Sequence, residues 1–518
     1  MGLFSGFFSK FYIGEQSHEE PEAGSAPQYT KLSSNLLSNM VWMQGRFDGC
    51  ADFVCKEFSV CGRSAAMMEI DNMVDKVVAT EAVLNPLAHA QTPPAFQNDT
   101  PALWGWLRDS VLSNVDQHEV FSYEEIISLM MLGYSAFVLD GMDRAIVFGI
   151  QGYSFRSIEE PSTDKALRGA RDGFVEPLHI NMMLVRRRIQ NPNLKFELYQ
   201  VGSESKTSIC ISYIKGVAPE DIVTKVRRQA RSIDLSTVLA SGYIQDFFQG
   251  GTPALFPTVG TTERPDTFCG RLSEGRVGVI VDNTPVALTM PHLLVENFQN
   301  MDDYAVGPYY ATFTRILKYI AFFFSMLLPA LYVSVGSFHQ ALLPSQLLYT
   351  LAQAEESTPF PLVVEALLMQ LIYEMVREAG LRLPSQFGFA ISIVGALIIG
   401  QAAVSAGLIG APMVIIVALT ATCALITPTL YEPGVILRFV FLALAGMQGM
   451  YGLALGIAFL AFQICSIKSF DVPYTAPIQP LSLYAMRDVV FRAPWSVLKK
   501  RKVAVQNLPG SNVDQTQG

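Results

Sequence analysis

Residues 383–431 read LPSQFGFAISIVGALIIGQAAVSAGLIGAPMVIIVALTATCALITPTLY, a run without a single Asp, Glu, Lys, Arg or His. It is about twice the length of the ~20 apolar residues that one membrane-spanning helix requires. Gly410, Ala411 and Pro412 fall near its middle, where Gly and Pro permit a sharp turn. The run predicts two spans packed as a tight hairpin, about residues 387–409 and 413–430, in an integral membrane protein.

The flanking sequence extends a helical membrane domain over residues 309–466. Ile316 to Phe338 carries only Lys318, at its edge, and predicts a first span interrupted by Pro329, which neighbouring helices make tolerable. Val435 to Ile464 predicts a last span, long enough to tilt or bend, with Arg438 near its start. Between them, Leu362 to Val376 is apolar but holds Glu365 and Glu374, with Arg377 and Glu378 following, and predicts an amphipathic or re-entrant helix. Arg315 and Lys318 flank the first span, and Lys499, Lys500, Arg501 and Lys502 follow the last. The positive-inside rule therefore puts both termini in the cytosol. Four spans return the chain to the side it left, in agreement with the charges. Arg438 falls toward the outside, an exception that Glu432 offsets.

Two helix faces consist of small residues. Gly388, Ser392, Ala396 and Gly400 recur every fourth position, and Gly446, Gly449, Gly452 and Gly456 give the last span a second smooth face. Small residues let spans approach closely where no hydrophobic force drives them together. Intramolecular packing is the plainer reading, and a pore lining or subunit interface the sharper one. Glu365, Glu374 and Glu432 are the carboxylates in or beside apolar surroundings, where an ionisable group is costly and pairs or faces water. Glu374 and Glu378 share a helical face, with Glu365 roughly opposite. Either Arg377 neutralises its neighbours or the carboxylates attract cations.

Half of the 518 residues are hydrophobic and 16% are charged, with the charges crowded ahead of Tyr310. That length admits two to four domains. A net charge of −9 argues against nucleic acid as a partner. The odd, dispersed cysteines (50, 55, 61, 210, 269, 423 and 465) read as reduced thiols, and the spacing of Cys50, Cys55 and Cys61 fits no usual zinc pattern. There is no Walker loop, dinucleotide fingerprint, His-Glu-x-x-His or nucleophile elbow, and the His residues form no recognisable ligand set. The expectation is a non-enzymatic chain with no catalytic, cofactor or metal site.

Residues 1–31 predict a flexible tail that fits neither a secretory signal nor a myristoylation pattern. Residues 32–143 and 144–308 predict two soluble α/β subdomains, and 467–518 a C-terminal tail. In the first subdomain, Cys55–Val60 and Ala66–Ile70 read as strands, Asn72–Leu87 and Tyr123–Gly133 as helices, and Ser135–Asp140 as a strand. In the second, Leu194–Val201 and Thr207–Lys215 predict a hairpin, and Val277–Asp282 with Pro285–Thr289 another. A helix through Ser232 has acids early and Arg227, Arg228 and Arg231 late, as the helix dipole favours. Glu263, Arg264, Pro265 and Asp266 form a dense polar motif, and Arg186 to Arg188 a basic triplet; either binds an anion or forms internal salt bridges. No repeat of solenoid period is visible.

Several strings together resemble the A-subunit family of bacterial spore-germination receptors, the GerA family. They include Glu69 to Lys76, Leu84 to Leu87, Glu160 to Thr163, Gly173 to Glu176, Arg186 to Ile189 and Tyr213 to Gly216. Thr262 to Asp266, Glu274 to Arg276, Pro329 to Tyr332, Arg377 to Gly380 and Ser392 to Ala402 continue the series, so the resemblance spans roughly residues 50–495. Asp164 and His179 depart from the family's usual residues. The resemblance implies a multi-pass protein of the spore inner membrane, partnered by a nutrient-binding B subunit and a C-subunit lipoprotein. It further implies a homo-oligomer, pentameric in the family's pattern, forming a channel that releases cations when nutrients bind. The alternative within the family is the paralogue of the SpoVA operon, an ion-release amplifier. A secondary transporter is more distant, since four spans without an inverted repeat argue against it.

Overall fold

The computed structural model describes residues 30–91, 99–113, 116–152, 168–249, 255–356, 358–382, 400–482 and 484–498, together with Phe96, Glu160, Pro161, Asp164, Val505, Leu508 and Ser511. The chain forms two compact units, one of residues 1–252, 259–291 and 502–518, the other of residues 253–258 and 292–501.

In the first unit, β1 (Phe53–Val60) and β2 (Arg63–Ile70) pair as a hairpin with Val60 opposite Arg63. The two residues between them, Cys61 and Gly62, take φ of 53° and 79°, as a type I′ turn requires to match the strand twist. β3 (Gln117–Val120), β4 (Ser135–Leu139) and β5 (Ala145–Phe148) complete an antiparallel sheet of order β1-β2-β4-β5-β3. Alternate residues divide between its two faces. Ala66, Met68, Val138 and Val147 pack with α1 (Leu36–Arg46) and α2 (Tyr123–Met130), while Met67, Phe137, Ile146 and Phe148 lie against helical turns within residues 76–89 and 100–111. The expected boundary after residue 143 runs through the β4–β5 hairpin, because Ala145–Phe148 is needed to pair both β4 and β3.

The plan then repeats. α3 (Leu178–Arg188) precedes the hairpin of β6 (Leu194–Val201) and β7 (Thr207–Ile214). α4 (Glu220–Arg231), α5 (Ser241–Phe248), β8 (Gly260–Thr262) and α6 (Pro265–Ser273) lead to β9 (Val277–Val281) and β10 (Ala287–Met290). The second sheet has the order β6-β7-β9-β10-β8, the order of the first with every strand advanced by five. Helix, hairpin, helical pair, short strand, helix, hairpin is thus built twice. Arg186 ties the two halves: its Nε and Nη2 donate to Asp52 at 2.7 and 2.8 Å, and both side chains are buried.

The second unit is helical, with α7 (Pro308–Phe338), α8 (Ser345–Glu356), α9 (Leu362–Arg382), α10 (Ala411–Ala424) and α11 (Tyr431–Ser466). α7 runs through Pro329 without a break. α11 does not run straight: Gly449 has φ 60° and ψ −138°. A Cβ placed on Gly456 would lie 2.8 Å from Phe441 Cε1, and one on Gly452 2.5 Å from the Leu444 carbonyl. In a straight helix residues 441 and 456 would stand about 22 Å apart. The second arm of α11 therefore folds back along the first, and each arm is about 26 Å long.

Among the described residues, Pro308–Phe338 and Pro428–Ser466 are the two segments long and apolar enough to cross a membrane. The first matches the expected first span. The second holds the expected last span but is a helical hairpin, because the turn at Gly449 reverses its direction. The span expected over 413–430 contains the 14-residue helix α10, shorter than a span. Its expected partner lies mostly outside the described residues; residues 400–405 are helical, and Gly407, with φ 64°, turns the chain toward α10. The described residues therefore do not form the expected set of four straight spans. The amphipathic or re-entrant helix expected near residues 362–376 is the 21-residue α9, which runs alongside α7 in the opposite direction. Leu362 meets Gly336, while Glu374 and the Ser325 carbonyl meet the same guanidinium, that of Arg438.

Candidate functional site

Polar side chains buried in the helical unit occur at three levels along α7. The first is Arg315, fully buried, whose Nε donates to Asp303 Oδ2 at 2.8 Å and whose Nη1 donates to the Asp488 carbonyl and Oδ1 at 2.8 Å each. Lys318 lies 3.6 Å from Asp303, and the Tyr304 hydroxyl donates to Asp488 Oδ2 at 2.7 Å. A guanidinium satisfies both carboxylates because its donors are fixed in a planar fork.

About 15 Å further along α7, Arg438 of α11 is 1% exposed. Its Nε donates to the Ser325 carbonyl at 2.8 Å, and its Nη1 donates to Gln370 Oε1 and Glu374 Oε1, each at 3.1 Å. The Tyr431 hydroxyl donates to the Glu374 carboxylate at 2.8 and 3.0 Å, and Arg377 stacks over the Tyr431 ring at 3.4 Å. A charge in apolar surroundings persists only when paired and hydrogen-bonded, and Glu374 and Arg438 meet that condition for each other.

At the third level, Glu365 is 1% exposed, and its Oε2 accepts from the Gly410 amide at 3.2 Å, at the N-terminus of α10. Glu365 and Glu374 lie on different sides of α9, as their spacing predicts: Glu365 is enclosed beside α10, and Glu374, partly buried, meets α11. Glu432 is exposed and does not offset Arg438; Glu374 does, since the start of α11 passes α9 rather than facing its own first turn inward. Glu378 pairs instead with Arg382, at 2.6 Å on the exposed side.

The glycines of the last span do not form one face of one helix. Gly449 is the point of reversal, a Cβ on Gly446 would meet Val363 of α9 at 2.6 Å, and Gly452 and Gly456 face the first arm of α11. Gly400 lies against α10, where a Cβ placed on it would stand 3.2 Å from Val414 Cγ1, whereas Gly388, Ser392 and Ala396 lie outside the described residues.

In the first unit, Thr262 Oγ1 accepts from the Arg264 amide at 3.1 Å, and Pro265 opens α6. Arg264 is 1% exposed and pairs with Asp266 through bonds of 2.7 and 3.0 Å. Burial pushes the Asp266 carboxyl up, but the Arg264 guanidinium outweighs it and leaves the group below its ordinary value. Glu263 gives its carbonyl to the Phe174 amide. The motif is an internal ion pair at a helix start. All seven cysteines are free thiols, and burial pushes Cys210 and Cys269 up to about 12, where they remain protonated and inert.

Sequence reasoning named Glu374 as a membrane carboxylate but used Arg315 and Arg438 only for orientation, and set Glu432 rather than Glu374 against Arg438. The signal was present: a basic residue inside an apolar run needs a carboxylate within reach, and few are available. Asp303, Asp488 and Gln370 carried no such signal, since their burial depends on what packs over them.

The family described as "Bacillus/Clostridium GerA spore germination protein" matches residues 42–504. Spore germination protein KA of Bacillus subtilis (strain 168) is 39% identical over 480 residues, covering 92% of this chain and 87% of that protein. The uncharacterized membrane protein YfkQ of the same organism is 35% identical, covering 91% of each chain, and spore germination protein GerLA of Bacillus cereus is 33% identical, covering 92% of this chain and 96% of that one. Among solved structures, the N-terminal domain of the A subunit of the Bacillus megaterium spore germinant receptor GerK3 is 25% identical, covering 52% of this chain and 98% of that domain at a TM-score of 0.41. With the match running through both units, this chain belongs to the GerA family of spore germination proteins.

Proposed function

We propose that this chain is the A subunit of a germinant receptor in the spore inner membrane, a non-enzymatic signalling and channel component that acts with a B subunit and a C-subunit lipoprotein. The observation that carries the reading is the family match over residues 42–504, which takes in both the duplicated α/β unit and the helical unit. The pairing of buried Arg438 with partly buried Glu374 supports it: two apposed charges among apolar helices hold one packing arrangement and become costly when that arrangement changes. A signal that shifts a closed–open equilibrium needs such differential contacts.

The topology that fits this role has both termini in the cytosol. α7 and the first arm of α11 run one way, and α9 and the second arm of α11 return. In a background without the native cysteines, single cysteines at the exposed positions Leu342 and Met447 would then react with an impermeant maleimide from the outer side, and those at Leu381 and Asp471 from the cytosol. Functionally, spores lacking this chain are expected to lose nutrient-triggered cation release. Unchanged nutrient-triggered release in the deletion strain and in its combinations with other receptor deletions overturns the reading.

A further inference from the structure

At the end of α7, two carboxyl groups are brought together with no cation to balance them. Glu365 of α9 has one oxygen bonded to the Gly410 amide, while its other oxygen, Oε1, is buried without a hydrogen-bond partner. Glu355 of α8 is half-buried, and its Oε1 is likewise enclosed and unpartnered. Glu365 Oε2 and the Ala354 Cβ both lie within 4 Å of the position a Cβ would take on Gly410, at 3.7 and 3.9 Å, so the two acids come from abutting segments. Glu355 Oε1 shares the neighbourhood of Gly336 with the Leu351 and Leu362 methyls, at 3.7 Å from a Cβ placed there. The titratable groups facing one another here are Glu355 from α8, Glu365 from α9 and Tyr332 from α7. Among the described residues no Lys, Arg or His pairs with either acid, and the segment 383–399 contains no charged residue that could do so.

An ionised carboxylate pair in such surroundings is not sustained; one member takes a proton or a counter-ion enters. A metal ion would require several oxygen ligands, whereas leucine side chains occupy the space beside Glu355. The Gly410 amide, at the positive end of the 14-residue α10, favours the charge on Glu365. Burial, and then the nearby Glu365, both push the Glu355 carboxyl above its ordinary value.

We propose that Glu355 and Glu365 form a proton-binding site, in which Glu355 carries the proton, and that occupancy holds α8 against α9 and the start of α10. Loss of the proton sets two carboxylates against each other and releases α8. The site is thereby a proton-linked element of the helical unit, and it rests on the described geometry rather than on the receptor role proposed above.

The test is labelling of the purified full chain in detergent with dicyclohexylcarbodiimide, which attacks protonated carboxyls in apolar surroundings, followed by peptide mass analysis. Labelling of Glu355 is expected at low pH and should fall by about tenfold per pH unit above its midpoint, between about pH 5 and about pH 9. Replacing sodium and potassium by choline should leave it unchanged. Absence of labelling across that range, with denatured protein labelling normally, overturns the proposal, as does suppression by potassium or sodium at fixed pH. Glu355→Gln copies the protonated form and should keep the α8 contact as pH rises, so crosslinking of cysteines placed at Ala354 and Gly410, compared at each pH with the same cysteine pair in the Glu355 protein to cancel thiolate formation, should increasingly exceed it. An equal extent of crosslinking in the two proteins at every pH also overturns it.

Discussion

Arg438, on the first arm of α11, donates to Glu374 of α9 at 3.1 Å while its Nε donates to the Ser325 carbonyl of α7 at 2.8 Å, so one guanidinium fastens three helices. Replacing either charge alone strands the other. Arg438→Met is expected to destabilise the helical unit by about 3–5 kcal/mol, and Glu374→Met by a similar amount. The double variant should cost clearly less than the sum, because no unpaired charge remains. Thermal unfolding of the four proteins in detergent gives the cycle; strict additivity would show that the pair is not coupled.

Gly449 reverses α11 with a φ of 60°, and a Cβ there would stand 2.9 Å from the Phe338 Cβ. Gly449→Ala combines a left-handed backbone penalty of about 1–2 kcal/mol with displacement of Phe338. Lowered thermal stability and reduced membrane accumulation are expected. Gly434→Ala, where a Cβ meets nothing within 4 Å, should be tolerated and serves as the control. Equal behaviour of the two variants would contradict a sharp reversal at Gly449.

The Arg186–Asp52 pair joins the two halves of the duplicated unit, with Arg186 also donating to the Asn191 and Leu194 carbonyls at 3.1 Å each and lying over the Phe196 ring. Arg186→Met should cost about 3–5 kcal/mol by leaving Asp52 buried and uncompensated. Arg186→Lys keeps the charge but loses the two-pronged contact and should fall in between. Denaturant unfolding of the full chain, followed by tryptophan fluorescence, separates the three outcomes.

Glu197 on β6 accepts from Arg227 at 2.7 and 2.9 Å and from the Tyr213 hydroxyl at 2.8 Å. Burial raises its pKa, but those hydrogen bonds outweigh burial and leave it below the ordinary value. A carboxyl with a depressed folded-state pKa stabilises the fold above its unfolded value and loses that contribution as pH falls through the folded one. The first unit should therefore weaken below about pH 4.5, and Glu197→Gln should lower stability at neutral pH while flattening this acid dependence. Melting curves across the acidic range would reveal a parallel shift instead if Glu197 contributed only packing.

Local chemistry determined much of this protein from sequence. The type and placement of β1, β2, β6, β7, β9 and β10 followed from alternating apolar residues and turn signals, since a hairpin forms between neighbours in the chain. The first long apolar helix followed from length and hydropathy alone, and the charge-free run from Leu383 to Tyr431 carried the expectation of a membrane protein. What the sequence did not carry were relations between distant segments. The duplicated α/β plan is a matter of strand order, and two sheets reach the same order without a shared sequence period. The glycines at 446, 449, 452 and 456 fit the spacing of one helix face, yet one positive φ at Gly449 turned that face into a hinge and two separate contacts. Arg438 had three carboxylates to choose from; only packing decided for Glu374, because the cost of burying a charge is set by the neighbours folding places beside it, not by those adjacent in sequence.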